Sequence, residues 1–353
     1  YRVELLERGG VAENVRRWGH VTLFSPFRMN RSPLGLAALA AQDPDYQPPP
    51  DDALLTGQEF ATRYLVPLTG TDLLADCLRP QTQVLGVGRG GYLKGEGLGD
   101  PRRATQPFRV LVRREKEGPR GGTGEEIVTA DVVVDATGTY GHPCWVGQGG
   151  LPAIGEADAA ARIAYDLPDI LGRQRDQYAG RHTLLVGAGY SAATSALALA
   201  ELARQVPKTR VTWVTRDGSS PDRSGPLPVL GGDVLSERER VSRAANQLAQ
   251  ANRPEFRYLP GRAVVALTGR EGDDGLSVQL AGEEGPQTVE VDRVLANVGY
   301  RPDTSLFAEL PVQLCYATEG PMQLARRLSG GSADCLDQVA AGPESLLTSE
   351  ANF

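Results

Sequence analysis

The feature that most constrains the fold is an apolar segment that leads through a glycine turn into a second apolar segment. Residues 183–186 are predicted to form a buried strand, residues 187–189 a tight turn, and residues 193–200 a helix. Ala192 supplies the small residue at which such a helix packs on its strand, and residues 210–215 form a second predicted strand. This order is typical of a Rossmann-like α/β unit, in which the amino end of the helix faces the phosphates of a dinucleotide. The residues expected to contact that dinucleotide are Gly187, Gly189, Tyr190, Ser191 and Ala192.

The end of the second strand indicates which dinucleotide would bind. An Asp or Glu there binds the ribose 2′-hydroxyl of NAD, whereas an Arg suits the 2′-phosphate of NADP. Here Thr215 is followed by Arg216, and Arg223 lies in the loop beyond. Because a guanidinium holds a phosphate through paired, charge-assisted hydrogen bonds, the sequence favours NADP. The alternative interpretation makes Arg216 a solvated loop cation.

A second feature is that the chain carries a similar pattern twice. Residues 107–114 and 127–138 are predicted to form a short antiparallel meander that feeds an apolar strand ending in glycine. Residues 275–280 and 288–299 repeat this arrangement. Internal repeats of this length indicate two similar structural units. The predicted fold class is therefore α/β, with two Rossmann-like dinucleotide-binding domains that each carry a small antiparallel meander.

The first residues of the chain match the second half of such a unit. Residues 1–8 alternate like a strand and contain Glu7, in the position of a ribose-binding acid, followed by Arg8. No strand, glycine loop or helix stands before them in the sequence, so we expect a βα unit upstream of residue 1. The alternative interpretation is an edge strand with a surface glutamate.

Three further segments are predicted to be helices. Residues 56–65 follow a Pro-rich loop, and residues 322–328 form a short apolar segment. Ser236 and Glu239 have the spacing of a capping box, which predicts a helix from there to about Ala251.

Together these residues resemble the flavoproteins with two dinucleotide-binding domains. That superfamily includes the pyridine nucleotide-disulfide oxidoreductases and the flavin-containing, Baeyer–Villiger and N-hydroxylating monooxygenases. Glu7 matches the acid that binds the FAD ribose, and residues 134–138 match the family's ATG segment. Residues 187–192 with Arg216 match its NADPH fingerprint, and residues 298–303 match the return crossover into the FAD domain.

The resemblance also implies a domain plan and a second cofactor site. Residues 18–27 resemble those of single-chain flavoprotein monooxygenases. The implied FAD-binding domain covers residues 1–160 and 299–353 and is incomplete at both ends, with an NAD(P)H-binding domain over 161–298 inserted into it. The implied cofactors are FAD and NADP. The residues expected to contact FAD are Glu7, Arg8, Ala136, Thr137, Gly138 and Gly299.

The cysteines separate this chain from the thioredoxin-type disulfide reductases. Those enzymes use a C-x-x-C pair, because dithiol exchange requires one attacking thiolate and a close partner that resolves the mixed disulfide. Cys77, Cys144, Cys315 and Cys335 are far apart in the sequence. Since they also lack the spacing of a disulfide framework, we expect a reducing, cytoplasmic location.

Candidate catalytic residues come from the resemblance alone, which implies that the segment after the first strand lies near the flavin. They are His20, Arg28 and Asn30. Arg28 would counter negative charge on the reduced flavin or on a substrate carboxylate, and its alternative role is that of a surface cation. His20 has the alternative role of a hydrogen-bonded structural histidine. The side chains that would form either core or an apolar flavin wall are Trp18, Phe24 and Phe27.

Composition excludes several other classes of function. A length of 353 residues accommodates two domains, and a formal charge of -7 provides no basic face for nucleic acid. The apolar runs are too short for a membrane span. Only three histidines are present, and none pairs with a cysteine at ligand spacing, so no metal site is predicted.

The expected activity is that of an FAD-dependent oxidoreductase that uses NADPH. The favoured reaction is monooxygenation, in which a flavin peroxide formed with O₂ oxygenates a small nucleophilic substrate. One alternative is an NADPH-dependent reductase of a small thiol or disulfide, a quinone or a protein partner, without a C-x-x-C relay. Another is a non-catalytic nucleotide-binding or redox-sensing protein. The sequence does not predict an oligomeric state.

Overall fold

The chain divides into two compact units. A computed structural model describes residues 2–115, 123–216, 225–229, 231–251, 253–272, 274–328 and 342–353. The first unit comprises Tyr1–Val11, Asp72–His142 and Arg301–Phe353. The second unit comprises Ala12–Thr71 and Pro143–Tyr300. By contact, residues 12–71 belong to the second unit, whereas the predicted FAD domain includes them, and the assignment of a cofactor to each domain stays a prediction.

Within its described residues, the first unit contains five strands in two separate sheets. They are β1 (Leu5–Leu6), β2 (Leu78–Arg79), β3 (Thr82–Arg89), β4 (Phe108–Glu115) and β5 (Thr123–Ala130). Strands β1 and β2 pair in parallel, while β3, β4 and β5 form an antiparallel meander. The short helical segments of this unit are Pro101–Ala104, Thr304–Phe307, Met322–Leu328 and Pro343–Leu346.

A buried ionic cluster lies beside this meander. The carboxylate of Glu350 accepts hydrogen bonds from Nε of Arg89 at 2.7 Å and from Nε of Arg103 at 3.2 Å. The Arg89 guanidinium also lies 3.6 Å from the centre of the Phe108 ring. All three charged side chains are almost completely covered. The cluster therefore ties residues near the end of the chain to β3 and β4.

Two predicted strands of the first unit are shorter than expected or absent. Of the described residues 2–8 only Leu5–Leu6 form a strand, and residues 131–138 lie outside any strand. Val132 and Val134 are 60% and 82% exposed, and the Val133 N–H donates to the Asn352 carbonyl. A strand requires a hydrogen-bonded neighbour, and among the described residues none pairs with this segment.

The second unit is built on a five-stranded parallel sheet with an attached antiparallel meander. Its strands are β6 (Ile163–Ala164), β7 (His182–Val186), β8 (Arg210–Val214), β9 (Phe256–Leu259), β10 (Ala263–Gly269), β11 (Leu276–Ala281), β12 (Gln287–Val291) and β13 (Arg293–Ala296). The parallel sheet has the order β6-β13-β7-β8-β9, and β10, β11 and β12 form the meander. This architecture confirms the predicted α/β class.

Alternating side chains of β7 serve two separate cores. Leu184 and Val186 point to the meander, while Leu185 points to the opposite face, as expected for successive residues of a strand. On that opposite face Leu199 and Trp213 are completely buried. Residues 184–186 of the strand are thus all apolar because both faces of the strand are covered there. The helices and shorter helical turns packed around this sheet are Gln148–Gly150, Ala160–Arg162, Arg175–Tyr178, Tyr190–Gln205 and Ser236–Gln250.

Residues 12–71 form a small helical region with a core of its own. Its helical segments are Glu13–Arg17, Phe27–Asn30, Pro33–Gln42, Gly57–Phe60, Ala61–Leu65 and Val66–Thr69. The predicted helix over residues 56–65 is present and continues to Thr69. Its first turn is a capping box, in which Thr56 and Glu59 bond reciprocally. No helix within the described parts of the chain is both long enough and apolar enough to cross a bilayer.

Candidate dinucleotide site

The glycine turn after β7 is held from both sides by neighbouring strands. The Gly187 N–H donates to the Val214 carbonyl at 3.1 Å, and the Trp213 indole N–H donates to the Gly187 carbonyl at 2.8 Å. Gly187 has a φ of 135°, and a Cβ placed there would lie 2.1 Å from the carbonyl oxygen of Asn297. Only glycine fits this position, as the sequence predicts.

Gly189 occupies the opposite kind of environment. It is exposed, and a Cβ placed there would meet no atom within 4 Å. The helix Tyr190–Gln205 begins directly after it, and no side chain caps this helix. The first-turn N–H groups of a helix have no acceptor within the helix, and together with the helix dipole they attract an anion. An open space in front of such groups has the shape and polarity that a pyrophosphate requires.

Small residues let this helix approach the sheet closely. Ala192, Ala193 and Ala196 are all completely buried against it. One turn further along, the Ser195 hydroxyl donates to Oδ1 of Asn297 at 2.8 Å. Asn297 was not a predicted site residue, because an asparagine at a strand end has no specific signature in a single sequence.

The end of β8 presents a hydroxyl and a guanidinium rather than an acid. Thr215 is buried, and its hydroxyl lies 2.9 Å from the Tyr258 hydroxyl. Arg216 is exposed and has no ion pair with any residue that the structure describes. Arg223, the other predicted cation of this loop, lies outside the described residues. The described part of this strand end thus has no carboxylate that would bind a ribose 2′-hydroxyl.

The three aromatic residues expected near the flavin do not form one surface. Phe24 contacts Tyr190 edge-to-face, with ring centres 5.3 Å apart, and so lies beside the start of the helix. Phe27 is only 1% exposed and packs on Tyr64 in the separate core of residues 12–71. Trp18 covers Gly57, where a Cβ would lie 2.6 Å from the indole. Phe24 alone is a candidate wall of the dinucleotide site.

The candidate catalytic residues occupy three different environments. Burial lowers the pKa of His20, an effect that the nearby Asp169 carboxylate partly offsets. Arg28 is exposed, and its backbone N–H donates to the carbonyl of Asp51. The Asn30 amide bonds within its own turn, to the side chain and carbonyl of Ser25. A catalytic role for each of the three stays a prediction.

Some of the predicted FAD contacts of the first unit are hydrogen-bonded to residues close to them in sequence. Oε1 of Glu7 accepts a hydrogen bond from the Gly9 N–H at 2.6 Å. Arg8 is exposed, with its guanidinium beside Gly141. In the ATG segment, Asp135 accepts hydrogen bonds from the backbone and the hydroxyl of Thr137.

The glycines of this predicted site are open. Gly138 has a φ of 68°, Gly299 has a φ of 93°, and a Cβ on either would meet nothing within 4 Å. Ala136 is exposed. Ala136 and Gly138 of the first unit fit a backbone surface along which a nucleotide could lie, whereas the Glu7 carboxylate would have to share its bond to Gly9 with a ribose. Gly299 belongs to the second unit, and its contact with FAD stays a prediction.

Sulfur and metal chemistry have no developed site in the described chain. Cys77, Cys144 and Cys315 are free thiols, and Cys335 lies outside the described residues. Hydrogen bonds from the Thr318 side chain and from neighbouring backbone groups lower the pKa of Cys315. Within the part of the chain that the structure describes, no group of three His, Cys, Asp or Glu side chains has the arrangement of a metal site.

Solved structures of flavoproteins are similar to this chain. Bacillithiol disulfide reductase from Bacillus cereus has a TM-score of 0.59 and 19% identity, with 91% of this chain and 78% of that chain covered. A cadaverine monooxygenase of desferrioxamine biosynthesis from Erwinia amylovora, bound to FAD, has a TM-score of 0.54 and 15% identity, with 89% and 76% covered. The ornithine N-hydroxylase from Kutzneria sp. 744 has a TM-score of 0.53 and 16% identity, with 89% and 79% covered. No protein-family model and no curated protein sequence matches the chain.

At these identities the likeness concerns the fold. It extends over nine-tenths of the chain and includes reductases as well as monooxygenases. The glycine turn, the helix behind it and the attached meander are the parts of the fold described above. The chain therefore has the α/β fold of the flavoproteins that carry two Rossmann-type domains.

Proposed function

We propose that this protein is an FAD-dependent oxidoreductase that uses NADPH, which binds at the glycine turn of the second unit. The observation that carries the proposal is the open, uncapped start of the helix Tyr190–Gln205 in front of Gly189. The exposed guanidinium of Arg216 lies at the end of the neighbouring strand β8. In Rossmann-like domains this strand end contacts the ribose 2′ group, which is a phosphate in NADP and a hydroxyl in NAD. NADP would account for both features, because its pyrophosphate would bind at the helix start and its 2′-phosphate would bind the guanidinium. A site for NAD would not require the cation.

The residues of the turn would act by binding and orientation. The N–H groups of Tyr190, Ser191 and Ala192 would donate to the pyrophosphate, and the absence of a side chain at Gly189 would let the nucleotide backbone approach. Arg216 would hold the 2′-phosphate through charge-assisted hydrogen bonds. Phe24, packed on Tyr190, would exclude water from one side of this site.

FAD is proposed for the first unit, on the open backbone of residues 136–138 together with Glu7 and Arg8. When bound, FAD would supply the capacity to accept a hydride and to pass electrons onward. The ornithine N-hydroxylase structure holds reduced FAD and NADP⁺ on a similar fold, which supports the same pair of cofactors here. Arg8 would contribute positive charge next to a bound phosphate.

For the reaction itself we favour oxygenation of a small nucleophilic substrate. The absence of a C-x-x-C pair from the sequence supports this choice, because electrons then have no dithiol route from the flavin. The second candidate is reduction of a small disulfide or quinone, which the likeness to bacillithiol disulfide reductase supports. Both candidates use the same dinucleotide site, so they differ only in the electron acceptor.

The test of the dinucleotide site is Arg216→Ala. Loss of one charge-assisted contact should weaken NADP⁺ binding by about tenfold to a hundredfold, as measured by calorimetry, and leave NAD⁺ binding nearly unchanged. Arg204→Ala is the matched control, because Arg204 is also exposed but lies in the last turn of the helix, paired with Glu201. Equal losses for both nucleotides, or a wild-type preference for NAD⁺, would remove the role proposed for Arg216.

The test of the reaction uses isotopically labelled O₂ with protein loaded with FAD and NADPH. Label should appear in the oxygenated product of an amine, sulfide or ketone probe. Rapid turnover of a quinone or a low-molecular-weight disulfide, with no label in any product, would favour the reductase instead.

A further inference from the structure

One buried side chain connects three segments at the carboxyl edge of the parallel sheet. Asn297 follows β13 directly and is 8% exposed. Its Oδ1 accepts the hydrogen bond from Ser195 in the helix, at 2.8 Å, and its Nδ2 donates to the Asp166 carbonyl, at 3.0 Å. Its own backbone N–H donates to the Val186 carbonyl at the end of β7. The helix, the chain that follows β6 and the end of β7 are therefore all fixed to one residue.

The backbone of Asn297 also packs against the glycine turn. Its carbonyl oxygen is the atom that would lie 2.1 Å from a Cβ on Gly187. The carbonyl sets how closely the turn can approach β13, and the amide sets where the helix lies above it. Asn297 thus positions both ends of the segment that runs from Gly187 to Ser195.

The position of this helix decides where its first N–H groups point. Binding groups must be held to within about 0.5 Å of their productive geometry, and side chains locked by buried hydrogen bonds provide that precision. Alanine residues make up the rest of the helix contact near its start, and they provide close packing without directional bonds. The Ser195–Asn297 bond is the directional link between this end of the helix and the sheet.

We propose that Asn297 is a positioning residue for the pyrophosphate of a bound dinucleotide, acting through Ser195 on the amino end of the helix. The inference rests on the proposed NADPH site. It assigns the affinity of that site in part to a buried side chain that is hydrogen-bonded to Ser195 and to the Asp166 carbonyl. Loss of the amide would leave the buried Ser195 hydroxyl without its acceptor and would let the helix shift along the sheet.

The experiment compares Asn297→Ala and Ser195→Ala with a matched control by calorimetric titration of the purified chain with NADP⁺. Thr209→Ala is the control, because Thr209 is equally buried and accepts one hydrogen bond, from the Gly180 N–H at 2.9 Å, at the amino edge of the same sheet. Thermal unfolding is recorded for every variant, so that a general loss of stability is separated from a loss of affinity.

We expect Asn297→Ala to raise the Kd for NADP⁺ about tenfold and Ser195→Ala to raise it about threefold. Thr209→Ala should lower the unfolding temperature about as much as Ser195→Ala but leave the Kd unchanged. If Asn297→Ala does not fold, Ser195→Ala decides, since it keeps the asparagine. Wild-type affinity in Ser195→Ala would overturn the inference, whereas failure of the wild-type chain to bind NADP⁺ would overturn the proposed function itself.

Discussion

The two units follow the same chain order, but only one of them has a complete parallel sheet. In the second unit, β8 and β9 are followed by the meander β10–β12 and by β13, and β7 lies between β13 and β8. In the first unit, β1 and β2 are followed by the meander β3–β5 and by residues 131–138. Among the residues described, no strand of this unit occupies the place that β7 has in the other. The segment equivalent to β13 accordingly has no ladder with any described residue, and its Val132 and Val134 are exposed.

This difference shows that the apolar pattern alone does not make a strand. Residues 132–136 are as apolar as residues 293–296, yet only the latter pair with neighbours on both sides. The backbone N–H and C=O groups of an extended segment need hydrogen-bond partners, which the segment cannot supply by itself. Among the described residues, the first unit has one apolar core, beside its meander, together with the ionic cluster around Glu350. The second unit has three apolar cores, one of them within residues 12–71.

The largest expected effect is that of Glu350→Ala on the first unit. Removal of the carboxylate leaves the buried guanidinium groups of Arg89 and Arg103 without a counter-charge, which should cost about 3–5 kcal/mol of unfolding free energy. Hydrogen exchange should rise in β3 and β4 and stay unchanged in β7. Glu344→Ala is the control, since Glu344 pairs with Arg327 at the surface and should contribute less than about 1 kcal/mol. An equal rise of hydrogen exchange in both units would contradict the expectation that the ionic cluster stabilises the first unit alone.

A smaller effect, confined to the second unit, is expected for Gly187→Ala. The added methyl group would overlap the Asn297 carbonyl, and the positive φ adds strain, so the free energy of unfolding should fall by about 2–4 kcal/mol. Exchange should rise in β7 and β13 and stay unchanged in β3 and β4. Gly189→Ala, which meets no atom, should keep the stability and weaken NADP⁺ binding only. A stable Gly187→Ala protein would show that β13 can move away from the turn.

The smallest expected effect is on the stability of the second unit at acid pH. Burial lowers the pKa of His182 in the second unit, where its Nε2 lies 2.9 Å from the Thr212 hydroxyl. The unfolded chain therefore takes up a proton more readily than the folded one, so stability is complete above pH 6.5 and falls as the pH drops below that value. Between pH 7.5 and 5.5, His182→Asn should reduce the resulting fall in unfolding temperature by about 1–2 °C. An identical fall in variant and wild type would exclude this histidine as a cause.

The glycine turn was the part of the fold and site best predicted from sequence. The predicted strand over 183–186 and the observed β7 differ by one residue, and the helix begins three residues earlier than predicted. The signal is strong because the glycines, the buried strand and the small residues of the helix are all required by the same local geometry. Asn297 was missed since its role depends on two segments that are more than one hundred residues away in sequence.

Capping signals show where local prediction ends. Thr56 and Glu59 form a true capping box, whereas Ser236 and Glu239 have the same spacing but do not. The predicted cap is therefore wrong, although the predicted helix is present as Ser236–Gln250. The helix Ser236–Gln250 starts at Ser236 itself, because Asp233 accepts the Leu235 N–H and pairs with the buried Arg238. A tertiary ion pair has replaced the local cap, and spacing alone cannot reveal that.

The pairing of β6 with β13 has a consequence for the ancestry of the gene. Ile163 lies opposite Val294, so the chain enters and leaves the five-stranded sheet through adjacent strands about 5 Å apart. Everything between them, including the glycine turn and the meander, is one continuous stretch of coding sequence whose ends meet in space. Such a stretch can be transferred into another gene in a single recombination event, as a cassette that carries the glycine turn of the proposed nucleotide site.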